Sequence, residues 1–196
     1  MDIKQSYESK KEEIKQRLNE FKQNKDYFYE LCFCLLTPQS SARGADYCIQ
    51  KLKESNFQNK DINPVPILIQ RIRFHNNKGA YLLEFKKKHN LILKNLDEIK
   101  DNKEKRMYLV KNVKGLGLKE SSHFLRNTGH ENLAILDRHI LKNLAKLNII
   151  ELPKTLTPKI YFEIESKFQN FSKEVKIPMD ELDLLFWSME TGEIFK

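Results

Sequence analysis

The run Tyr27 to Leu36, YFYELCFCLL, is apolar on nearly every side, and it constrains the fold more than any other feature of the chain. It falls well short of the roughly 18 residues that a membrane span needs. It does not alternate with a period of two, so it reads as a helix buried on all faces at the centre of a domain. The expected stop is Thr37-Pro38, because proline disfavours helical geometry in the residue before it. Such a helix must be surrounded by others, and the remaining sequence supplies them. Residues 2 to about 22 place Ile3, Tyr7, Ile14, Leu18 and Phe21 at roughly helical spacing, an amphipathic opening helix. Ser41 reads as the cap of a helix through Leu52 and Lys53. Asp61-Ile62-Asn63-Pro64 opens another, with Pro64 at the first helical position. Helices follow at residues 77–88 and 102–113, and at 119–127 with Gly129 as a left-handed stop. Asp137 caps residues 138–147, Pro158 opens a helix through Phe168, and Pro178 opens the last, which ends near Thr191-Gly192. No hairpin dipeptide joins two apolar runs, and no repeat or low-complexity linker interrupts the pattern. The expected class is all-α.

Charge narrows the partner. The chain has 35 Lys and Arg against 27 Asp and Glu, 35 − 27 = +8 over 196 residues. A basic surplus fits a polyanion, although a lysine-rich composition can produce one by itself. Residues 86–119 hold 11 basic and 4 acidic side chains, a net of +7, so nearly the whole surplus leads into one Gly-containing turn. The N-terminus MDIKQSYESKKEEIKQ has no apolar region of the secretory kind, and the expected location is cytoplasmic, associated with the nucleoid through DNA. Cys32, Cys34 and Cys48 are odd in number, which argues against a disulfide framework. They also form no four-cysteine cluster for iron–sulfur or structural zinc, and the five His show no His-Glu-x-x-His pattern. A metal enzyme is not expected.

The chemistry concentrates in Val113-Lys114-Gly115-Leu116-Gly117-Leu118-Lys119. Two glycines with an apolar residue between them let two helices cross closely and leave successive backbone N–H groups pointing outward. Together with the next helix N-terminus, these can bind a phosphate. That is the shape of a helix–hairpin–helix, which grips a DNA backbone without reading sequence; a plain tight turn fits the same residues. Lys119 sits in the first turn of the following helix, where the dipole favours negative charge. A neutral amine there can attack a sugar carbon or form a Schiff base, while taken alone a phosphate-binding lysine is the simpler reading. Asp137 lies 18 residues later, between the apolar run Leu133-Ala134-Ile135-Leu136 and Arg138. Its simplest role is an N-cap, and a cap at the mouth of a cleft can also turn a carboxylate toward a ligand. An amine and a carboxylate facing an extruded nucleotide suit N-glycosidic cleavage.

Val113-Lys-Gly-Leu-Gly-Leu-Lys119, Leu125-Arg-Asn-Thr-Gly129 and Ile135-Leu-Asp-Arg-His-Ile140 together resemble the helix–hairpin–helix DNA glycosylase superfamily. Within it the likeness is to the archaeal-type, or second-class, 8-oxoguanine DNA glycosylase/AP lyases, whose chains are short, lack an iron–sulfur cluster and end on a lysine. Here the end is Asp183-Leu-Leu-Phe-Trp187-Ser-Met-Glu-Thr-Gly192-Glu-Ile-Phe-Lys196. The resemblance implies one glycosylase domain over residues 1–196 with two helical lobes and a DNA-binding cleft between them. The middle lobe spans about 37–125, and the terminal helices pack together as the second. It implies Lys119 as nucleophile and Asp137 as its catalytic partner. Gln39, in the break Leu35-Leu-Thr-Pro-Gln39-Ser-Ser41, would fill the gap left by the extruded base. Lys114, Gly115 and Gly117 would hold the DNA backbone. Trp187 and Phe74 are expected to stack on the extruded purine, and the terminal carboxylate of Lys196 to accept from its Watson–Crick edge, with Ile194 and Phe195 as an apolar anchor. For Phe74 and Trp187 core packing is the competing reading, and for Lys196 a frayed tail. The implied partner is double-stranded DNA carrying 8-oxoguanine or abasic sites, met by a monomer with no cofactor, metal or membrane. Two other readings keep the helical fold: a glycosylase for oxidised pyrimidines or alkylated purines, and a non-catalytic module that docks DNA. The loop before Asp137 has one glycine and no proline, and the hairpin begins Val-Lys rather than Leu-Pro, both departures from the superfamily pattern.

Overall fold

A computed structural model describes residues 3–196; Asp2, where the opening helix is expected to begin, lies outside the described residues. Helices in chain order are α1 Ile3–Glu8, α2 Lys11–Gln23, α3 Tyr27–Leu36, α4 Ala42–Glu54, α5 Val65–Leu68 and α6 His75–Glu98. They continue as α7 Asn102–Asn112, α8 Leu118–Asn127, α9 Arg138–Lys146, α10 Pro158–Val175 and α11 Met179–Thr191. Among the described residues there is no strand, and no helix is long and apolar enough to cross a membrane. Two compact units divide the chain: Lys25–Phe124, here the middle unit, and a flanking unit made of the chain up to Asn24 with Leu125–Lys196.

The middle unit is built on α3, buried from Phe28 to Leu36 and packed on α4 and α6. The Asp26 carboxylate accepts from Tyr29 N at its start, and Phe28 stacks on Phe85 at 5.5 Å between ring centroids. Because α3 belongs to this core, the unit starts at Lys25 rather than near residue 37. The expected reason for the helix stop needs correcting. Thr37 keeps helical angles (φ −67, ψ −32) and donates its N–H to Phe33 O. The helix cannot continue past this cap because Pro38 has no N–H to give. Pro64 likewise stands before its helix, not at its first position: α5 is a four-residue turn, Val65–Leu68, whose first N–H goes to Asn63 Oδ1. The helix expected at residues 77–88 starts at His75 and runs to Glu98, because Leu82, Phe85, Ile92 and Leu96 continue the buried stripe.

In the flanking unit α11 is the central element, packed on α1, α2, α9 and α10. Leu182, Leu184, Leu185 and Phe186 are buried, with Phe186 stacked on Phe168 at 5.9 Å. The opening helix is two helices, not one. Ser9 Oγ donates to Ser6 O and Lys10 N to Tyr7 O, so a turn replaces the helical ladder between them. The α10 helix passes Phe168 and ends at Val175, before Lys176 in a left-handed conformation. The segment leading to α9 is fixed by carboxylates on its backbone: Asp180 accepts from Asn132 N and Glu165 from Ala134 N. Gly129, at φ +87, lets this segment pass α2 so closely that a Cβ there would lie 2.8 Å from Lys22 Cα.

Candidate active site

The turn between α7 and α8 depends on Gly115. Its φ is +96, and a Cβ would lie 2.4 Å from the Tyr81 ring, so the turn sits directly on α6. Lys114 is exposed, with its ammonium 5.9 Å from the centre of the same ring. Two of the backbone N–H groups expected to point outward are taken within the unit. Leu116 donates to Val113 O, and Gly117 to the Glu120 carboxylate at 3.2 Å. Glu120 is the third residue of α8, and the Gly117 carbonyl receives Ser121 N, so this is the glutamate half of a capping box, with glycine in the cap position. A carboxylate therefore occupies part of the place where a phosphate is expected.

Lys119 is the second residue of α8, its side chain 24% exposed and its ammonium 3.7 Å from Glu120 Oε1. A half-buried amine beside a single carboxylate is accessible to an electrophile and is held near the turn that would grip the backbone. Gln39 is exposed at φ +54, on the loop joining α3 to α4. Phe74 is also exposed (53%) and left-handed (φ 56), heading α6 with the Arg73 guanidinium 5.5 Å from its ring centre. Core packing is thereby removed as an account of Phe74.

Behind these two loops lies a residue that sequence reasoning missed. Lys78, only 5% exposed, donates to Leu36 O at 2.8 Å, Pro38 O at 2.5 Å and Ser40 Oγ at 3.1 Å. Burial pushes its ammonium down to about 8; the Glu120 carboxylate opposes that shift, and the charges of Lys119 and Arg73 add to it. One signal was available: Lys78, Leu82 and Phe85 share a helical stripe, so the sequence places a lysine on the buried face of α6.

In the flanking unit Asp137 is the N-cap of α9, as expected. Its Oδ1 accepts both His139 N at 2.8 Å and Ile140 N at 2.9 Å, and its Oδ2 takes no part in the cap. One carboxylate oxygen thus closes the helix by itself. Trp187 is half-buried on α11, its ring 6.4 Å from that of Phe195. Ile194 and Phe195 are 6% and 8% exposed, so the chain end is anchored and the frayed-tail reading does not hold. The structure thus gathers Gln39 with Phe74 in one unit and Trp187 with Lys196 in the other. Lys119 lies in the middle unit and Asp137 in the flanking unit. Among the described residues no group of three or more His, Cys, Asp or Glu is placed to hold a metal ion.

Comparison with known proteins agrees on one family. The 8-oxoguanine DNA glycosylase family matches residues 9–177. The 8-oxoguanine DNA glycosylase/AP lyase of Fusobacterium nucleatum is 47% identical over 209 residues, covering 100% of this chain and 96% of the relative. That of Methanocaldococcus jannaschii is 38% identical and matched along the whole of both chains. The solved structure of the M. jannaschii enzyme in complex with a 15mer DNA containing 8-oxoguanine aligns with a TM-score of 0.90 at 34% identity, covering 100% of each chain. The 8-oxoguanine DNA glycosylase of Thermotoga maritima aligns with a TM-score of 0.88 at 32% identity, covering 98% of this chain and 96% of the other. On sequence and on fold alike, this chain belongs to the 8-oxoguanine DNA glycosylase family.

Proposed function

We propose that this chain is a bifunctional DNA repair enzyme that excises 8-oxoguanine from double-stranded DNA and cleaves the resulting abasic site, acting as a monomer. The Lys119 amine attacks C1′ of the damaged nucleotide, and the N-glycosidic bond breaks with its electron pair leaving on the base. The free oxygen of Asp137 faces the positive charge that develops on the sugar. Loss of a proton from the attacking nitrogen and ring opening give a Schiff base at C1′. Abstraction of a C2′ proton then expels the 3′ phosphate, and water releases the lysine. Gln39 fills the space of the extruded base, Phe74 and Trp187 cover its faces, and the terminal carboxylate of Lys196 accepts from N1–H and N2–H₂. Lys114 and the Gly115–Gly117 turn hold the backbone.

The observation that carries this reading is the placement of Lys119: a half-buried amine in the first turn of the helix that follows the Gly115–Gly117 turn, in a chain of this family. Borohydride trapping tests it. A duplex with one 8-oxoguanine should give a covalent protein–DNA band. A band with an oxidised pyrimidine but none with 8-oxoguanine would shift the substrate. No band with either, or with a preformed abasic site, would leave only a docking module.

A further inference from the structure

Lys78 has no part in that chemistry, yet its buried ammonium is fully bonded within the middle unit. An ammonium has three donors, and all three are used: one on a carbonyl at the end of α3, one on Pro38 and one on Ser40 Oγ. The bond to Leu36 O alone is ordinary closure of a helix end. The bond to Ser40 is not. The same hydroxyl oxygen receives the backbone N–H of Arg73 at 3.1 Å, from a segment 33 residues further along the chain. One buried amine therefore ties the loop of Gln39 to the loop of Phe74.

Both loops are built to need such a tie. Gln39 and Phe74 are non-glycine residues at φ 54 and 56, a backbone region that persists only where the surroundings over-determine it. Both side chains are exposed, so packing of their own does not hold them. Ser41, next in the loop, is committed to capping α4 through Gly44 N.

We propose that Lys78 is a positioning residue for base extrusion: it locks the Gln39 and Phe74 loops into one block, so both side chains are set before DNA arrives. The ordering cost that two free loops would otherwise add to every binding event is met during folding. This rests on the reading that Gln39 fills the vacated space and Phe74 covers the base.

The test uses the full chain with Lys78→Gln and Lys78→Arg. Amide hydrogen exchange of the free protein should speed up over residues 37–41 and 73–75 in Lys78→Gln, with α7 unchanged. Excision of 8-oxoguanine paired with cytosine should fall by about 10–100-fold, the cost of a small misplacement. Excision opposite an abasic analogue, where no pairing resists extrusion, should fall far less, as should cleavage of a preformed abasic site. Lys78→Arg, which keeps charge and donors, should recover part of the loss. Unchanged loop exchange, or an equal loss on all three substrates, overturns the proposal; so does faster exchange without a selective loss on the paired substrate. If Lys78→Gln does not fold, Ser40→Ala decides by the same readings, since it cuts only the link between the loops. Gln39→Ala on the paired substrate separates the two layers. If it is silent the assigned role of Gln39 fails, whereas unchanged loop exchange in Lys78→Gln fails the clamp alone.

Discussion

The two units differ in charge and in how they fasten their loops. The middle unit holds 19 Lys and Arg against 11 Asp and Glu, net +8, whereas the flanking unit holds 16 of each. The whole surplus of the chain is thus in the unit that carries the hairpin, Lys119, Gln39 and Phe74. In that unit, beside the capping carboxylates of Asp26 and Glu120, buried cations hold backbone carbonyls: Lys78 on Leu36 and Pro38, and Lys105 on Leu96 O at 2.9 Å. In the flanking unit carboxylates hold backbone N–H groups: Asp137 on His139 and Ile140, Asp180 on Asn132, Glu165 on Ala134. One unit concentrates the positive charge that a polyanion requires. The other is neutral and spends carboxylates on its own backbone.

The largest effect expected of any substitution separates the units by chemistry. Lys119→Gln should abolish the borohydride-trapped adduct and strand cleavage while leaving lesion-DNA binding largely intact, because an amide cannot form an imine. Wild-type nicking by this variant would move the nucleophile elsewhere. On the neutral unit, Asp137→Asn should slow base release by more than ~10²-fold. Its melting temperature should hardly move, since asparagine also caps a helix. A large stability loss with normal turnover would reduce Asp137 to a cap. Deleting Lys196 comes next. Excision of 8-oxoguanine should drop by about tenfold or more, as when a buried donor loses its acceptor, with little change at a preformed abasic site that has no base to read.

A smaller effect tests the charge difference directly. Replacing Lys111 and Lys114 by Ala should lower the slope of log affinity against log salt by about two. Replacing the exposed Lys154 and Lys159 of the flanking unit should leave it unchanged; equal slopes for both pairs would erase the distinction. The smallest effect is on stability alone. Asp180 lines a cavity of about 230 Å³ with Lys22, Arg126 and Glu131, and burial raises its carboxyl from 3.8 to about 6. The folded state then binds more protons than the unfolded one between those values, so this residue's contribution falls as pH rises from about 4 to 6. Asp180→Asn, still able to accept from Asn132, should raise the melting temperature by a few degrees at pH 7.5. It should raise it not at all at pH 4, and a loss at pH 7.5 would make the charge itself structural.

Much of this was legible from residue order because it is local. Ser41, Asp137 and Gly192 act within three or four residues of themselves, and their caps and stops follow from local chemistry. The reach of α6 was underestimated because its stripe continues past the basic residues that seemed to close it. The turn was legible where one residue type is demanded at one place, as for Gly115. Bonds made across the chain were not legible. Nothing near Lys78 in sequence announces Leu36 or Ser40, about 40 residues earlier. Nor does a Gly-x-Gly motif announce that Glu120 will fold back onto Gly117.

The split of the flanking unit has a consequence for how the protein is made. Helix α2 buries Ile14 and Phe21 and packs on α11, which begins at Met179, so its partner leaves the ribosome more than 150 residues later. At roughly 5–20 residues per second that is a delay of about 10–30 s. The middle unit is continuous in sequence and can close first, while the first helices wait with their apolar faces uncovered. The nascent chain therefore completes its basic unit before its neutral unit is whole.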